Sequence, residues 1–296
     1  MSSALSNKYF NRYPRVEWLL MKLSLVYIWL DIVRHIFIND TFLPYPAGLC
    51  TFFDCSFLAT PKTAWWFYSV AYFLSILYLF ERWMKFTTLC MFLLSLMLFT
   101  LEESNGILNR CALYTMIFLA QSIAYFKAGP NLKKNRLQFA VQIVAAGYFL
   151  AGTSKLIASG PGWITDAPYA AVQIAKNYAY GYFNYGNIAD MQMGLKQANF
   201  VIANKPFIIF LFGMSLVLEL TAWVAVMSKR NAFIYGCLLF GMHMGIYYFM
   251  DILIVAIYYP MVIILINPLY TGYFVVTEAF YWLKNKLENR GFVFGF

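Results

Sequence analysis

Long apolar runs follow one another along this chain, and polar residues gather in the short gaps between them. Runs of about twenty such residues are the length a helix needs to cross a bilayer. The pattern predicts helices over residues 16–38, 64–80, 86–101, 110–126, 137–156, 207–227, 232–250 and 252–269. The last two come from one stretch, 232–266, which as a single helix would be ~52 Å long against a hydrocarbon core of ~30 Å. It has to break, and Asp251 is the natural place. A long segment, 157–206, separates the fifth helix from the sixth. The terminal stretch 271–290 has aromatic residues followed by Lys284, Lys286 and Arg290, the pattern of a helix lying along the cytoplasmic interface. The expected fold class is therefore an all-α integral membrane protein. It is a single-domain bundle of about eight transmembrane helices with a long outer segment, and it has no internal repeat.

Composition strengthens this reading. Hydrophobic residues make up 62% of the chain and charged residues 12%, about half the charge of a soluble domain. The first apolar run contains Lys22, Asp31 and Arg34 and no small-residue cleavage site follows it, so it reads as a retained helix. The net charge of +9 would suit nucleic acid, but its distribution points elsewhere. The connections 1–15, 81–85, 127–136 and 228–231 and the C-terminal tail together hold 14 Lys and Arg, whereas 39–63, 102–109 and 157–206 hold 4. Lys and Arg accumulate on the cytoplasmic side. That alternation predicts both termini in the cytoplasm and residues 157–206 outside; the expected location is a bacterial inner (plasma) membrane. The bilayer is then the first partner, and nucleic acid is not one.

A few polar residues interrupt the apolar runs. Lys155 stands at the outer end of the fifth helix, before a Gly-Pro-Gly-Trp turn. One reading is a snorkelling anchor with its ammonium among the headgroups; the other is a desolvated lysine that loses its proton and acts as a base. Glu219 and His243 both fall near mid-depth, on helices six and seven. They could form a structural hydrogen bond between helices or a proton relay. Asp31 and Arg34, three apart on one helix, share a face and are expected to form an internal ion pair. Two histidines without carboxylate–histidine spacing argue against a zinc-type metal site. Cys50 and Cys55 share the first outer loop, where an oxidising compartment would permit a disulfide. Inert loop thiols or a redox pair are the alternatives, and the spacing does not match a thioredoxin-type motif. The stretch "NYAYGYFNYGN" in the outer segment is either an interfacial aromatic belt or part of a lid.

The stretch "YFLAGTSKLIASGPGWITDAPYAAVQI" resembles the signature of the horizontally transferred transmembrane domain (HTTM) family. That family comprises the membrane domain of vitamin K-dependent gamma-glutamyl carboxylase and its bacterial relatives. Tyr148, Phe149, Ala151, Gly152, Lys155, Leu156, Trp163, Tyr169 and Gln173 match its pattern as they stand. "EESNGILNRCALYTMIF", "LVLELTAWVAV" with Glu219, and "LFGMHMGIYYFMDI" with His243 follow in the family's order, so the similarity runs from about residue 16 to 268. There are departures. Residues 165–168 read Thr-Asp-Ala-Pro, the proline usual after the glutamate is missing, and the carboxylase's large luminal domain has no counterpart. The resemblance thus implies the fold and not gamma-carboxylation of glutamate. It implies Lys155, Glu219 and His243 as the catalytic set. Trp163, Tyr169 and Gln173 are implied as the cofactor-binding set, with a quinol as the cofactor.

Three functions follow as expectations. The first is a carboxylase-like membrane enzyme that modifies or matures a peptide or lipid at the outer face. The second is a non-catalytic membrane subunit that binds a secreted or membrane peptide, in toxin maturation or immunity. The third is a small transporter, against which stands the lack of a repeat and of paired broken helices.

Overall fold

Every regular element of the computed structural model is a helix among the residues it describes, which are 14–38, 46–54, 60–104, 111–127, 129, 132–250 and 255–288. The first five helices are α1 (Pro14–Ile38), α2 (Pro61–Leu79), α3 (Met84–Ser104), α4 (Ala112–Phe126) and α5 (Leu132–Ser159). Each packs on the next: α1 on α2, α2 on α3, α3 on α4 and α4 on α5. The start of α2 is written in its sequence, where the Thr60 hydroxyl accepts from the Thr63 amide and Pro61 occupies a first-turn position whose missing N–H costs nothing. Between these helices Trp29, Tyr78, Met91, Tyr114 and Phe118 form the main core. The Trp29 indole meets the edge of Phe118 at 5.4 Å and donates to Ser95 Oγ at 2.9 Å.

The segment 157–206 is helical as well. After a single turn, Gly162–Thr165, come α6 (Ala170–Tyr185) and α7 (Ile188–Ala203), which pack on each other as a hairpin. Gly186 closes α6 with φ +69°, and the Asn187 side chain caps α7 by accepting from the Ala189 amide at 3.1 Å. The hairpin has its own small core of Ala171, Ile174, Ala198 and Val201, continued by Ile208 of the next helix.

Next comes α8 (Lys205–Leu220), followed by a tighter 3-10 turn at Ala222–Val226, where the sequence pattern predicted helix to 227. The helix α9 (Lys229–Met250) precedes residues 251–254, so the break expected at Asp251 falls outside the described residues. In place of one regular helix over 252–269 there is α10 (Val255–Met261) and a π-turn at Val262–Ile266 that ends at Asn267, φ +50°. Pro260 inside α10 supplies no N–H and crowds the turn before it. Last is α11 (Pro268–Glu288), which packs on α1.

Among the described residues four helical stretches can cross a membrane by length and composition: Met84–Ser104, Asn135–Ser159, Lys229–Met250 and Tyr258–Leu283. α7 and α8 meet the same requirement only as a pair, bent by 91° at their junction. Trp65–Leu79 and Ala112–Phe126 are apolar but shorter. α1 carries Arg15 in its first turn and four charges further along, and the structure divides those four. Glu17 and Lys22 are buried and paired, whereas Asp31 and Arg34 are exposed and no ion pair joins them. Their i,i+3 spacing put them on one face, as expected, but that face points out of the bundle.

At one end of the bundle the polar groups form a network. Glu81, in the turn after α2 with φ +54°, accepts from Trp18 Nε1 (2.6 Å) and from Lys22 Nζ (3.0 Å). Arg136 of α5 reaches the same carboxylate at 3.4 Å and lies 4.0 Å over the Trp18 ring. Burial raises the Glu81 carboxyl, but the Lys22 and Arg136 charges outweigh it and hold the carboxyl below its ordinary range. On the neighbouring side Lys229 pairs with Glu17, and the Asn267 amide donates to the Glu17 carbonyl at 2.7 Å.

Candidate functional site

At the other end of α5 the helix turns its last apolar face towards α8. Lys155 projects from that face, and its Nζ lies 2.5 and 2.6 Å from the two oxygens of Glu219, one residue before the end of α8. The carboxylate is 5% exposed and the lysine side chain 26%. Gly152, three residues earlier on the same face, makes this approach possible. A Cβ on Gly152 would sit 3.1 Å from the Glu219 Cβ and 3.2 Å from Leu220 Cδ2. The glycine and the lysine of the Ala-Gly-x-x-Lys stretch therefore act together: one admits the helix, the other meets its carboxylate.

The turn beyond α5 brings an aromatic ring back over the pair. Gly160, φ +55°, reverses the chain, and the turn Gly162–Thr165 sets the Trp163 ring 5.1 Å from the lysine nitrogen. A cation over an indole face is attracted by its quadrupole. The ring packs on Phe212 of α8 at 6.0 Å, and its Nε1 is buried with no hydrogen-bond partner among the described residues.

Two helical turns before Lys155, on the same face, the Tyr148 hydroxyl lies 2.7 Å from His243 Nε2 of α9, with donor and acceptor set by the imidazole tautomer. Both side chains are buried. Glu219 and His243, which could have met each other, take separate polar partners on α5.

The remaining expected residues fare differently. Tyr169 is 75% exposed, and Gln173 is exposed with its amide donating to Asn177. No hydrogen bond, ion pair or ring contact among the described residues links either to Lys155. Asn177 in turn donates to the Met250 carbonyl, which ties α6 to the end of α9. Cys50 is buried in the 3-10 turn Gly48–Thr51, and Cys55 lies outside the described residues. Sequence reasoning missed Tyr148 as the histidine's partner and Phe212 as the tryptophan's support. The signal for Tyr148 was available: it stands seven residues before Lys155, which is two helical turns.

The chain matches no family model, no curated protein and no solved structure. The case for the site rests on its residues and their geometry. Among the described residues no group of three His, Cys, Asp or Glu side chains could hold a metal ion.

Proposed function

We propose that this chain is a carboxylase-like membrane enzyme of the HTTM type. It would act on a peptide or lipid at the outer face, and the Lys155–Glu219 pair would be its proton-transfer group. The observation that carries the reading is the bidentate contact between a lysine that remains a quarter exposed and a carboxylate that is buried. In its amine form, with its proton released to the solvent that its exposed quarter faces, Lys155 takes a proton from an acidic group of the substrate and becomes the ammonium that the Glu219 carboxylate holds. Trp163, over the nitrogen, favours return of the cation once the proton is back. Tyr148 and His243 form the next polar pair along the face of α5. A reduced quinone fits the residues present, because Trp163 and Phe212 offer flat apolar surface and the indole N–H is a buried donor without an acceptor. When bound, such a group would supply the acidic hydroxyl and the reducing equivalents.

The proposal includes eight spans with both termini cytoplasmic, a bacterial inner-membrane location, and a Cys50–Cys55 disulfide in the outer loop. Charge distribution supports the orientation: the connections richest in Lys and Arg include those around Glu17, Glu81, Arg136 and Lys229, and the hydrogen bonds gather these at one end of the bundle.

A non-catalytic peptide-binding subunit is the second reading. It is favoured by the exposed aromatic edge of the hairpin, where Tyr180, Phe183 and Tyr185 are largely uncovered. The experiment compares peptides and lipids by mass spectrometry in cells carrying the wild type, Lys155→Arg, Lys155→Ala or Glu219→Gln. Arginine keeps the ion pair and the fold but does not release its proton. The enzyme reading expects Lys155→Arg to lose product by on the order of 10²–10⁴-fold with the protein level unchanged. If Lys155→Arg behaves as wild type, the pair is a structural tie and the base role is wrong.

A further inference from the structure

A second chemical environment lies at the opposite end of α5. A cavity of about 300 Å³ opens there, walled by Leu137 and Val141 of α5, Ala225 of the 3-10 turn, Phe233 of α9 and Ile264 of the π-turn. From Leu137 to Lys155 is eighteen residues of α5, ~27 Å at helical rise. The cavity therefore shares no residue with the lysine site.

Two departures from α geometry border this space. On one side the chain overwinds into the 3-10 turn Ala222–Val226; on the other it underwinds into the π-turn Val262–Ile266. Such π-turns recur at functional sites. Around the hollow the packing is tight. A Cβ on Gly236 of α9 would come within 2.8 Å of the Leu265 Cβ. The buried Asn267 amide ties the π-turn to the Glu17 carbonyl, and Lys229 ties α9 to the Glu17 carboxylate. The frame is fixed on three sides while the middle is left open.

The walls are mainly apolar and the edge is charged. Lys229 and Glu17 both line the cavity, the lysine side chain 32% exposed and the glutamate 12%. Arg230 and Arg15 are exposed, and along the chain they lie one residue from Lys229 and two from Glu17. The volume equals that of about ten waters, room for a stretch of one hydrocarbon chain and too little for two. Basic pockets between membrane helices select anionic head groups.

We propose that this cavity holds one acyl chain of an anionic amphipath, its phosphate or carboxylate set against Lys229 and Arg230. A membrane phospholipid and a free fatty acid share that chemistry, and the test separates them. Delipidated protein in neutral detergent is titrated with phosphatidylglycerol, phosphatidylcholine, oleate or inorganic phosphate. Bound molecules are counted by native mass spectrometry, and the melting temperature is followed.

The expected result is one phosphatidylglycerol per chain, bound at least tenfold more tightly than phosphatidylcholine. If oleate binds instead of phosphatidylglycerol, with the same dependence on the variants below, the site belongs to a free fatty acid. Met227 is 66% exposed on the cavity wall, so Met227→Trp plugs the entrance without touching the core and should abolish binding of either ligand. Arg230→Gln, at an exposed position, removes one cation and leaves the Glu17–Lys229 pair in place, and it should weaken the preference for the anionic head. Equal binding of phosphatidylcholine and phosphatidylglycerol to the wild type, the same melting shift from inorganic phosphate alone, or undiminished binding in Met227→Trp each overturn the proposal.

Discussion

Gly152 decides whether Lys155 and Glu219 can meet. A methyl group there would press on the Glu219 Cβ and on Leu220 at 3.1–3.3 Å, and a Cβ cannot swing away. Gly152→Ala should push α8 from α5 and destabilise the protein by about 1–3 kcal/mol, the usual cost of overpacking. Gly147 provides the control on the same helix, since its added Cβ would meet only Leu113 Cδ1 at an ordinary 3.9 Å. Alanine there should be neutral or stabilising, because it also improves helix propensity. Thermal unfolding in detergent compares the two, and equal melting temperatures would refute the steric argument. Glu81 gives a prediction in pH. Its carboxyl is held below the ordinary range in the folded protein by Lys22 and Arg136, with the Tyr125 hydroxyl beside them. A depressed carboxyl contributes stability that is present above its unfolded value and lost as pH falls through the folded one. The wild type should therefore lose more melting temperature than Glu81→Gln between pH 6 and about pH 3, below the ordinary carboxyl value of ~4. Parallel curves would mean that the charge on Glu81 contributes nothing. Lys155 and Glu219 were legible in sequence as isolated polar residues in apolar runs. Their pairing was not, because 64 residues separate them and only packing sets that distance. The Trp18–Lys22–Glu81–Arg136 network escaped for the same reason, its members being 55–63 residues apart across the contacts to Glu81.

Among the elements, the α6–α7 hairpin depends most visibly on single residues. Its helices were legible only as stretches able to lie at an interface, since the segment has neither a span's length of apolar residues nor much charge. The fold supplies what sequence could not: a tight crossing in which the backbone at Gly194 lies under Tyr178. A Cβ at Gly194 would stand 2.4 Å from the Tyr178 Cβ. Two Cβ atoms cannot share that space, so Gly194→Ala must separate the helices. Gly186→Ala instead meets open space and has only its left-handed φ of +69° to overcome, roughly 1–2 kcal/mol. The expected order is that Gly194→Ala makes the hairpin markedly more sensitive to protease than Gly186→Ala does. The reverse order would show that the turn, and not the crossing, holds the hairpin. Local breaks were likewise invisible to a hydropathy pattern. Ala222–Val226 and Val262–Ile266 are as apolar as regular spans, so hydropathy does not mark their altered winding.

For the whole molecule the question is how eight expected spans relate to four long apolar stretches. The apolar part of α2, Trp65–Leu79, is 15 residues, ~22 Å at helical rise, against a core of ~30 Å. α4 is the same length. Helices this short cross by thinning the bilayer or by letting flanking polar groups reach the interface. Glu81, just after α2, touches Trp18 and Lys22 near the start of α1 and Arg136 near the start of α5. Lys229, at the start of α9, and Asn267, after the π-turn, both reach Glu17. The chain therefore returns to one end of the bundle at five separate points, and between visits it must go out and back. Eight passes follow if each excursion crosses the membrane. Single cysteines test this in a background from which the native cysteines have been removed. Arg82→Cys and Arg230→Cys replace exposed residues at the gathered end, and Tyr185→Cys replaces an exposed residue at the hairpin tip. In intact cells a membrane-impermeant maleimide should label Tyr185→Cys and spare the other two until the membrane is opened. Labelling of Arg230→Cys and Tyr185→Cys from the same side would leave α8 without a crossing, and the eight-pass topology would fall.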